Sequence, residues 1–406
     1  MNGGSSPDQR ERGRSPAAAL IGTGLMIVGL SLLFARGLYT VGLGFMGVGL
    51  VWQALSPNTK IRMSPPVKTC LWGLAGVLGL GLWPNLAHYP LTALPLLQAM
   101  LIVLALNQPL EVPGISERTG VRGSRAALAL FALFLSYHLL GDALYRGNPS
   151  RGYPGFFKNI HFLGEYAVLT VPLFTLEAVR RRGVLRIGWL VLVCVDLGLL
   201  LGSKSRPGFL ALVASILVLV PWLNARQRSR LLLSAGAVLG GFYALDLLGF
   251  ASRINEFMVH IREDERAEIW AGTLSLMQSA PPYQWLLGHG FGQFFQDYHQ
   301  LSLIRQTKTW IAPHNFILDV LYSHGLLGLL LVTSGFLMIG YQLIHQIRET
   351  REPSWREEGL VLLSQMTALL VHAFFTVPFF SRDFLLPFSL LLGWLLRRAQ
   401  PPPRCS

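Results

Sequence analysis

Long apolar stretches recur along the whole chain, and short polar segments separate them. Each stretch is about long enough, as a helix, to cross a hydrocarbon core of ~30 Å. The pattern therefore predicts an all-α integral membrane protein with twelve transmembrane helices. Their predicted positions are residues 17–35, 37–55, 67–83, 91–107, 126–141, 161–177, 187–202, 208–223, 231–250, 316–345, 359–376 and 384–396.

The positive residues between these stretches predict the orientation. With both termini placed in the cytoplasm, the cytoplasmic segments hold 22 of the 34 Lys and Arg residues and the outer loops hold 12. Every cytoplasmic segment has at least three of them. This excess is the positive-inside pattern of membrane proteins. The sequence thus predicts a multi-pass membrane protein with both termini in the cytoplasm and a long helical loop at 251–315 on the outer side.

Composition agrees with this class. The chain is 52% hydrophobic and only 14% charged, whereas soluble domains carry about 25% charged residues. The net charge of +13 follows from the orientation signal, so it does not indicate a nucleic-acid partner. Three cysteines exclude a disulfide framework and a cysteine-based metal site. The first stretch is expected to be a retained anchor, and the tails 1–16 and 399–406 are expected to be disordered.

A first group of outward positive residues lies in the stretch GSKSRPG, residues 202–208, where two predicted spans meet with almost no loop. Arginine grips phosphate oxygens with a planar fork, so Lys204 and Arg206 are candidates for binding phosphate or pyrophosphate. The alternative is that both side chains reach the lipid headgroups, as charged residues near span ends commonly do.

A second group lies in residues 253–277, within the long loop. Apolar residues recur there with the spacing of an amphipathic helix, and Arg262, Arg266 and Trp270 share another face. Such a helix on the outer leaflet suits a lipid-linked anion. The alternative is a set of local ion pairs with the five acids of residues 256–268, on a face exposed to solvent.

The stretch IAPHNFILDVLYSHGLLG, residues 311–328, opens the longest apolar run of the chain. That run, 316–345, is about 45 Å long as a helix, so it must either rise above the bilayer or bend near Gly325. His314 precedes it. A histidine at a helix N-terminus tends to stay neutral, which suits a general base. The alternative is that His314 and Asn315 only cap the helix. The preceding LLGHGFGQF, residues 286–294, indicates a turn.

Other polar residues carry weaker signals. Asp196 and His138 lie within predicted spans, where ionisable groups are functional candidates by default, yet neither is assigned a role. Arg382, in the outer turn FFSRDF, is a weaker substrate-binding candidate because Asp383 adjoins it.

The order of these motifs resembles the O-antigen ligase and polymerase superfamily of membrane glycosyltransferases. The matching elements are a Ser-Arg turn at residues 205–206, Arg266 to Trp270, a glycine-containing stretch at 288–294, and HNFILDVLYSHGLLG at 314–328. Pro207 departs from the small residue expected after the Ser-Arg pair.

The resemblance implies transfer of a glycan from undecaprenyl pyrophosphate to the lipid A-core oligosaccharide, at an active site on the outer, periplasmic face of a bacterial inner membrane. On this reading Arg206 and Arg266 stabilise the leaving pyrophosphate and His314 takes the acceptor's proton, in one inverting displacement. Lys204, Arg262, Trp270, Asn315 and Arg382 are the expected substrate contacts. No cofactor or metal is expected, because cationic side chains can do a metal's electrostatic work. Membrane lipids are expected partners.

Three alternatives stay open at this stage. A polymerase or a protein O-oligosaccharyltransferase would share the fold and the donor. The single moderate outer loop favours a ligase, by analogy only. A transporter of lipid-linked sugars belongs to another class, and it would make Asp196 essential and His314 dispensable. A structural scaffold would leave the outward arginines unexplained.

Overall fold

The computed structural model describes a large part of the chain as helices and turns, with no strand among the described residues. The predicted span at 126–141, Arg262 and the side chain of Arg382 lie outside the described part. The described residues are 17, 20–25, 36–55, 61, 63–82, 94–108, 160–244, 246, 251, 255, 265–305, 308–376 and 380–398.

The chain divides into two compact units. One consists of residues 1–131 and 385–406, and the other of residues 132–384. The first unit contains α1 (Arg36–Leu55), α2 (Pro65–Leu82), α3 (Leu94–Leu106) and most of α13 (Arg382–Arg398). Its core joins α1, α3 and α13 through apolar side chains that include Met46 and Ile102, both fully buried.

The second unit contains the remaining described helices. Three short ones, α8 to α10, lie in the long loop where the sequence predicts a helical segment. The bounds are α4 (Ile160–Arg180), α5 (Gly183–Ser203), α6 (Arg206–Leu217), α7 (Ala225–Ala244), α8 (Glu265–Gln278), α9 (Pro282–Leu287), α10 (Gln293–Arg305), α11 (Phe316–Glu349) and α12 (Pro353–Phe375).

Helix α4 is the centre of this unit's packing. A two-residue turn joins it to α5, and both α6 and α12 pack against it. The shared core contains the small side chains Ala167, Ala211 and Ala368, which let the helix backbones approach closely. At the other end of α4, the guanidinium of Arg180 bonds Glu357 Oε2 at 2.8 Å and Glu358 Oε1 at 3.3 Å. These pairs tie the C-terminus of α4 to the N-terminus of α12.

Several of these helices are suited to a membrane. Among the described residues, α5, α11 and α12 are long and apolar enough to cross a bilayer. Further apolar helices are shorter, and α6 has only 12 residues, about 18 Å. A short 3-10 turn at Val220–Trp222, which contains Pro221, follows α6. The all-α class is thus confirmed for the described residues, and three helices of this length and composition support a membrane protein. The count of twelve spans and their orientation stay predictions.

Helix α11 is broken at Gly325, which is one of the two alternatives that the length of this apolar run left open. Gly325 has φ 65° and ψ −167°, which is outside the helical region. The turn from α9 to α10 packs into the break, where Gly290 N donates to Ser323 O at 2.9 Å. A Cβ on Gly288 would lie 2.4 Å from the backbone of Ser323. The glycines of residues 288–292 therefore serve a close contact between two backbones.

A polar cluster beside the break stabilises the contact between the α9–α10 turn and α11. Tyr322 Oη donates to Asp297, His289 Nδ1 lies 3.4 Å from the same carboxylate oxygen, and Gln293 donates to the other oxygen at 2.8 Å. Burial raises the pKa of Asp297, but these hydrogen bonds outweigh burial and bring the pKa below its ordinary value. Asp297 is therefore held as a carboxylate. Its bond with Tyr322 attaches α10 to the part of α11 that precedes the break.

Replacing Gly288 by alanine is expected to destabilise the protein by about 1–3 kcal/mol, because the new methyl group meets backbone atoms and φ is 84°. The matched control is Gly335→Ala on α11, where a Cβ would have no atom within 4 Å. Thermal unfolding in detergent should give a lower melting temperature for the first variant only. Equal melting temperatures would show that the contact at the break is loose.

Candidate active site

His314 lies immediately before α11 with its backbone in the left-handed region, at φ 52°. Asn315 is the N-cap of α11, because its Oδ1 accepts from Ile317 N at 2.9 Å and from Leu318 N at 3.1 Å. The predicted capping role thus belongs to Asn315 alone. A non-glycine residue with positive φ is strained and is common at functional sites.

The ring of His314 is oriented by two contacts. Its Nδ1 lies 2.8 Å from the carbonyl oxygen of Thr376, which follows α12. The Trp310 ring meets it edge-on, with ring centres 5.6 Å apart. A carbonyl oxygen can only accept, so Nδ1 of His314 carries the hydrogen. In the neutral ring, Nε2 then holds the lone pair that a base needs.

Burial lowers the pKa of His314, and the positive charge of Arg266 lowers it further. The hydrogen bond to Thr376 opposes both effects without cancelling them. The sequence predicts a neutral His314 from the helix dipole, and the structure provides these two other causes for the same state. A neutral imidazole at physiological pH can accept a proton.

Arg266 is in the first turn of α8, so a loop helix carries it toward His314. One helical turn further, the Trp270 ring packs against Phe374 and Phe375 of α12, at centroid distances of 6.3 and 6.5 Å. Arg266 and Trp270 thus lie one turn apart on α8, in agreement with the predicted shared face. Trp270 anchors α8 on α12 and so places Arg266.

The turn between α5 and α6 carries the other predicted cations. Lys204 ends α5 in the left-handed region, at φ 54°, and Ser205 is the N-cap of α6. Arg206 is the first residue of α6, and Pro207 occupies the next position, where a helix has no need of its N–H. Pro207 is thus accommodated without distorting the turn.

Two histidines that the sequence analysis did not select also belong to this region. His161, in the first turn of α4, has its Nδ1 3.1 Å from Ser205 Oγ. The charges of Arg266, His314 and His372 all act on its ring. The His161 contact connects the Ser205–Arg206 turn with the Arg266–His314 pair. We call His161, Ser205, Arg206, Arg266 and His314 the base–arginine site.

His372 supports this site through its contact with Thr376. It is fully buried on α12, and its Nδ1 lies 3.4 Å from Glu165 Oε2 on α4 and 3.2 Å from Thr376 Oγ1. Thr376 is the residue whose carbonyl orients His314. Glu165 and His372 both lie within predicted spans, and intramembrane ionisable residues are a signal that could have found them.

The base–arginine site consists of arginines, histidines and a serine. No three His, Cys, Asp or Glu side chains of the described residues are grouped so that they could share a metal ion. Asp196 is buried on α5 in the second unit and is not among the groups that act on His314. The site can hold an anion between arginines and offer a neutral imidazole beside it.

These features describe a helical protein with membrane-compatible helices and with a neutral histidine and arginines beside its broken helix. Residues 189–333 match a family model described as O-antigen ligase. The chain is also 28% identical, over 235 residues, to an O-antigen ligase of Pseudomonas aeruginosa, covering 56% of this chain and 51% of that protein. It thus spans about half the length of this curated relative. Both similarities support the O-antigen ligase superfamily for this chain.

Proposed function

We propose that this protein is an O-antigen ligase that transfers a glycan from undecaprenyl pyrophosphate to the lipid A-core oligosaccharide. The observation that carries the proposal is the bond between His314 Nδ1 and the Thr376 carbonyl, beside the charge of Arg266. It gives one neutral base and one strong cation in one site. Acceptor activation and leaving-group stabilisation require these two groups.

The reaction is a single displacement. A hydroxyl oxygen of the acceptor sugar attacks the anomeric carbon, while the bond from that carbon to the pyrophosphate oxygen breaks and the pyrophosphate keeps its electron pair. Nε2 of His314 takes the hydroxyl proton and later releases it to water. Because the attack comes from the face opposite the leaving group, the configuration at the anomeric carbon is inverted.

Arg206 and Arg266 bind the pyrophosphate and offset the charge that grows on it as the bond breaks. Lys204, in the same turn as Arg206, is an auxiliary phosphate contact. Arg262 and Arg382 are proposed as further contacts from the flanking segments. We assign Asn315 and Trp270 to positioning, since Asn315 caps α11 and Trp270 packs on α12. The proposal places the reaction on the periplasmic face and requires no metal.

The test is a transfer assay with the purified protein, undecaprenyl-pyrophosphate-linked glycan and glycan-free lipopolysaccharide, in the presence of a chelator. We expect the lipopolysaccharide to acquire the glycan. Longer lipid-linked glycans without modified lipopolysaccharide would instead identify a polymerase. Glycosylated Ser or Thr of a periplasmic protein, supplied as a third acceptor, would identify a protein O-oligosaccharyltransferase.

A companion variant separates an enzyme from a transporter. Asp196→Asn is expected to retain transfer, because Asp196 is not among the groups that act on His314. If flipping of a lipid-linked sugar in proteoliposomes required Asp196 and no transfer occurred, the chain would be a transporter.

A further inference from the structure

The hydroxyl of Ser205 has a proton that must find an acceptor. Ser205 is fully buried, and its Oγ already accepts from Gly208 N at 3.3 Å as the N-cap of α6. That bond uses a lone pair of the oxygen and leaves the O–H to donate. A buried hydroxyl that does not donate costs free energy, so native structures seldom leave one unsatisfied.

Within the described part of the chain, the acceptor in contact with this hydroxyl is His161 Nδ1, at 3.1 Å. Nδ1 must then hold a lone pair, because a protonated Nδ1 would itself be a donor. An imidazole that accepts at Nδ1 is neutral and carries its hydrogen on Nε2. The N-cap of α6 thus sets the tautomer of His161.

The two histidines of the base–arginine site are therefore held in opposite tautomers. His314 donates from Nδ1 to a carbonyl and presents a lone pair at Nε2. His161 accepts at Nδ1 from a hydroxyl and carries its hydrogen at Nε2. Nε2 of His314 can therefore take a proton, whereas Nε2 of His161 can only donate a hydrogen bond.

The position of His161 indicates what it serves. Its partner Ser205 directly precedes Arg206, and the charge of Arg266 acts on its ring. The backbones are close here, because a Cβ on Gly164 would lie 2.8 Å from Ser205 Cβ. His161 therefore stands where α4 meets the turn that carries Arg206, beside a site rich in positive charge.

We infer that His161 is a substrate-binding residue whose Nε2–H donates a hydrogen bond to a phosphate oxygen of the lipid-linked donor. This inference rests on the proposed function. A neutral donor adds a hydrogen bond to the diphosphate without adding a charge that would hold the product after transfer. It also leaves His314 as the base among these two histidines.

The experiment measures the dissociation constant of undecaprenyl pyrophosphate for the protein in lipid nanodiscs. His161→Ala is expected to weaken binding about 10- to 100-fold, the usual range for a hydrogen bond to a charged group. Substitution of His161 by Gln or by Asn distinguishes a role of Nε2 from a role of Nδ1. The amide nitrogen of His161→Gln reaches the position of Nε2 and should restore most of the affinity. That of His161→Asn reaches only the position of Nδ1 and should not.

The pH profile of transfer gives an independent readout. Its acidic limb should be the same in His161→Gln as in the natural protein, since His161 takes no proton. Unchanged affinity in all three variants would overturn the inference, and so would rescue by Asn but not by Gln. In both cases transfer by the natural protein would leave the proposed function standing. Absence of transfer by the natural protein would remove the proposed function and the inference together.

Discussion

Replacing His314 by alanine is expected to lower the rate of glycan transfer about 10²- to 10⁴-fold, the usual contribution of a positioned base. The affinity for the lipid-linked donor should change little, because the imidazole acts on the acceptor hydroxyl. The donor's pyrophosphate is bound by arginines in our proposal. The loss should therefore appear in the turnover number at saturating donor.

Two controls make this result specific. His345→Ala removes an exposed imidazole from the other end of α11 and should leave the rate unchanged. His314→Asn keeps an amide nitrogen at the position of Nδ1, able to donate to the Thr376 carbonyl, but lacks a basic nitrogen, so it should be as inactive as alanine. Transfer at the natural rate by His314→Ala, with normal thermal unfolding, would end the assignment of His314 as the base.

Arg266→Ala is expected to weaken binding of undecaprenyl pyrophosphate by about 2–5 kcal/mol, roughly 30- to 5,000-fold, because a charge partner of the diphosphate is lost. Arg266→Lys should recover only part of this affinity, since an ammonium cannot make the two parallel bonds of a guanidinium. An unchanged dissociation constant for Arg266→Ala would exclude Arg266 from the donor site.

Arg266→Ala should also change the pH dependence of kcat/KM for glycan transfer. Transfer needs neutral His314, so the rate falls as the pH drops through the pKa of His314, which lies below its ordinary value of 6.5. Arg266 disfavours the imidazolium, so its removal raises this pKa and moves the acidic limb to higher pH. Arg266→Lys keeps the charge and should leave the limb near its natural position. A limb that moves to lower pH in Arg266→Ala would contradict the pairing of these two residues.

Local signals in the sequence predicted much of the fold and part of the site. The helical class follows from the apolar runs, and one run that is too long for a bilayer left a bend near Gly325 as one of two alternatives. The resemblance to the O-antigen ligase superfamily follows from the order of the motifs. These features depend on residues that are close in the sequence or on composition, so no knowledge of the folded chain is needed to find them.

The roles of individual polar residues could not be predicted in the same way. Asn315 and Trp270 are expected substrate contacts from their positions, yet the structure places one on the end of α11 and the other on Phe374 and Phe375. Gly288 and Gly290 lie in the predicted turn, and they also contact the backbone of the broken helix, which the sequence did not indicate. Which partner a side chain meets depends on the packing of distant helices.

The sequence by itself determined a helical chain with long apolar runs, a resemblance to the O-antigen ligase superfamily, and His314 and two arginines as candidate chemistry. Only the tertiary structure decided the state of each histidine. The carbonyl that orients His314 belongs to Thr376, 62 residues away, and the hydroxyl that meets His161 belongs to Ser205, 44 residues away. A tautomer is set by the partner of the other ring nitrogen, and such partners come together only when the helices pack.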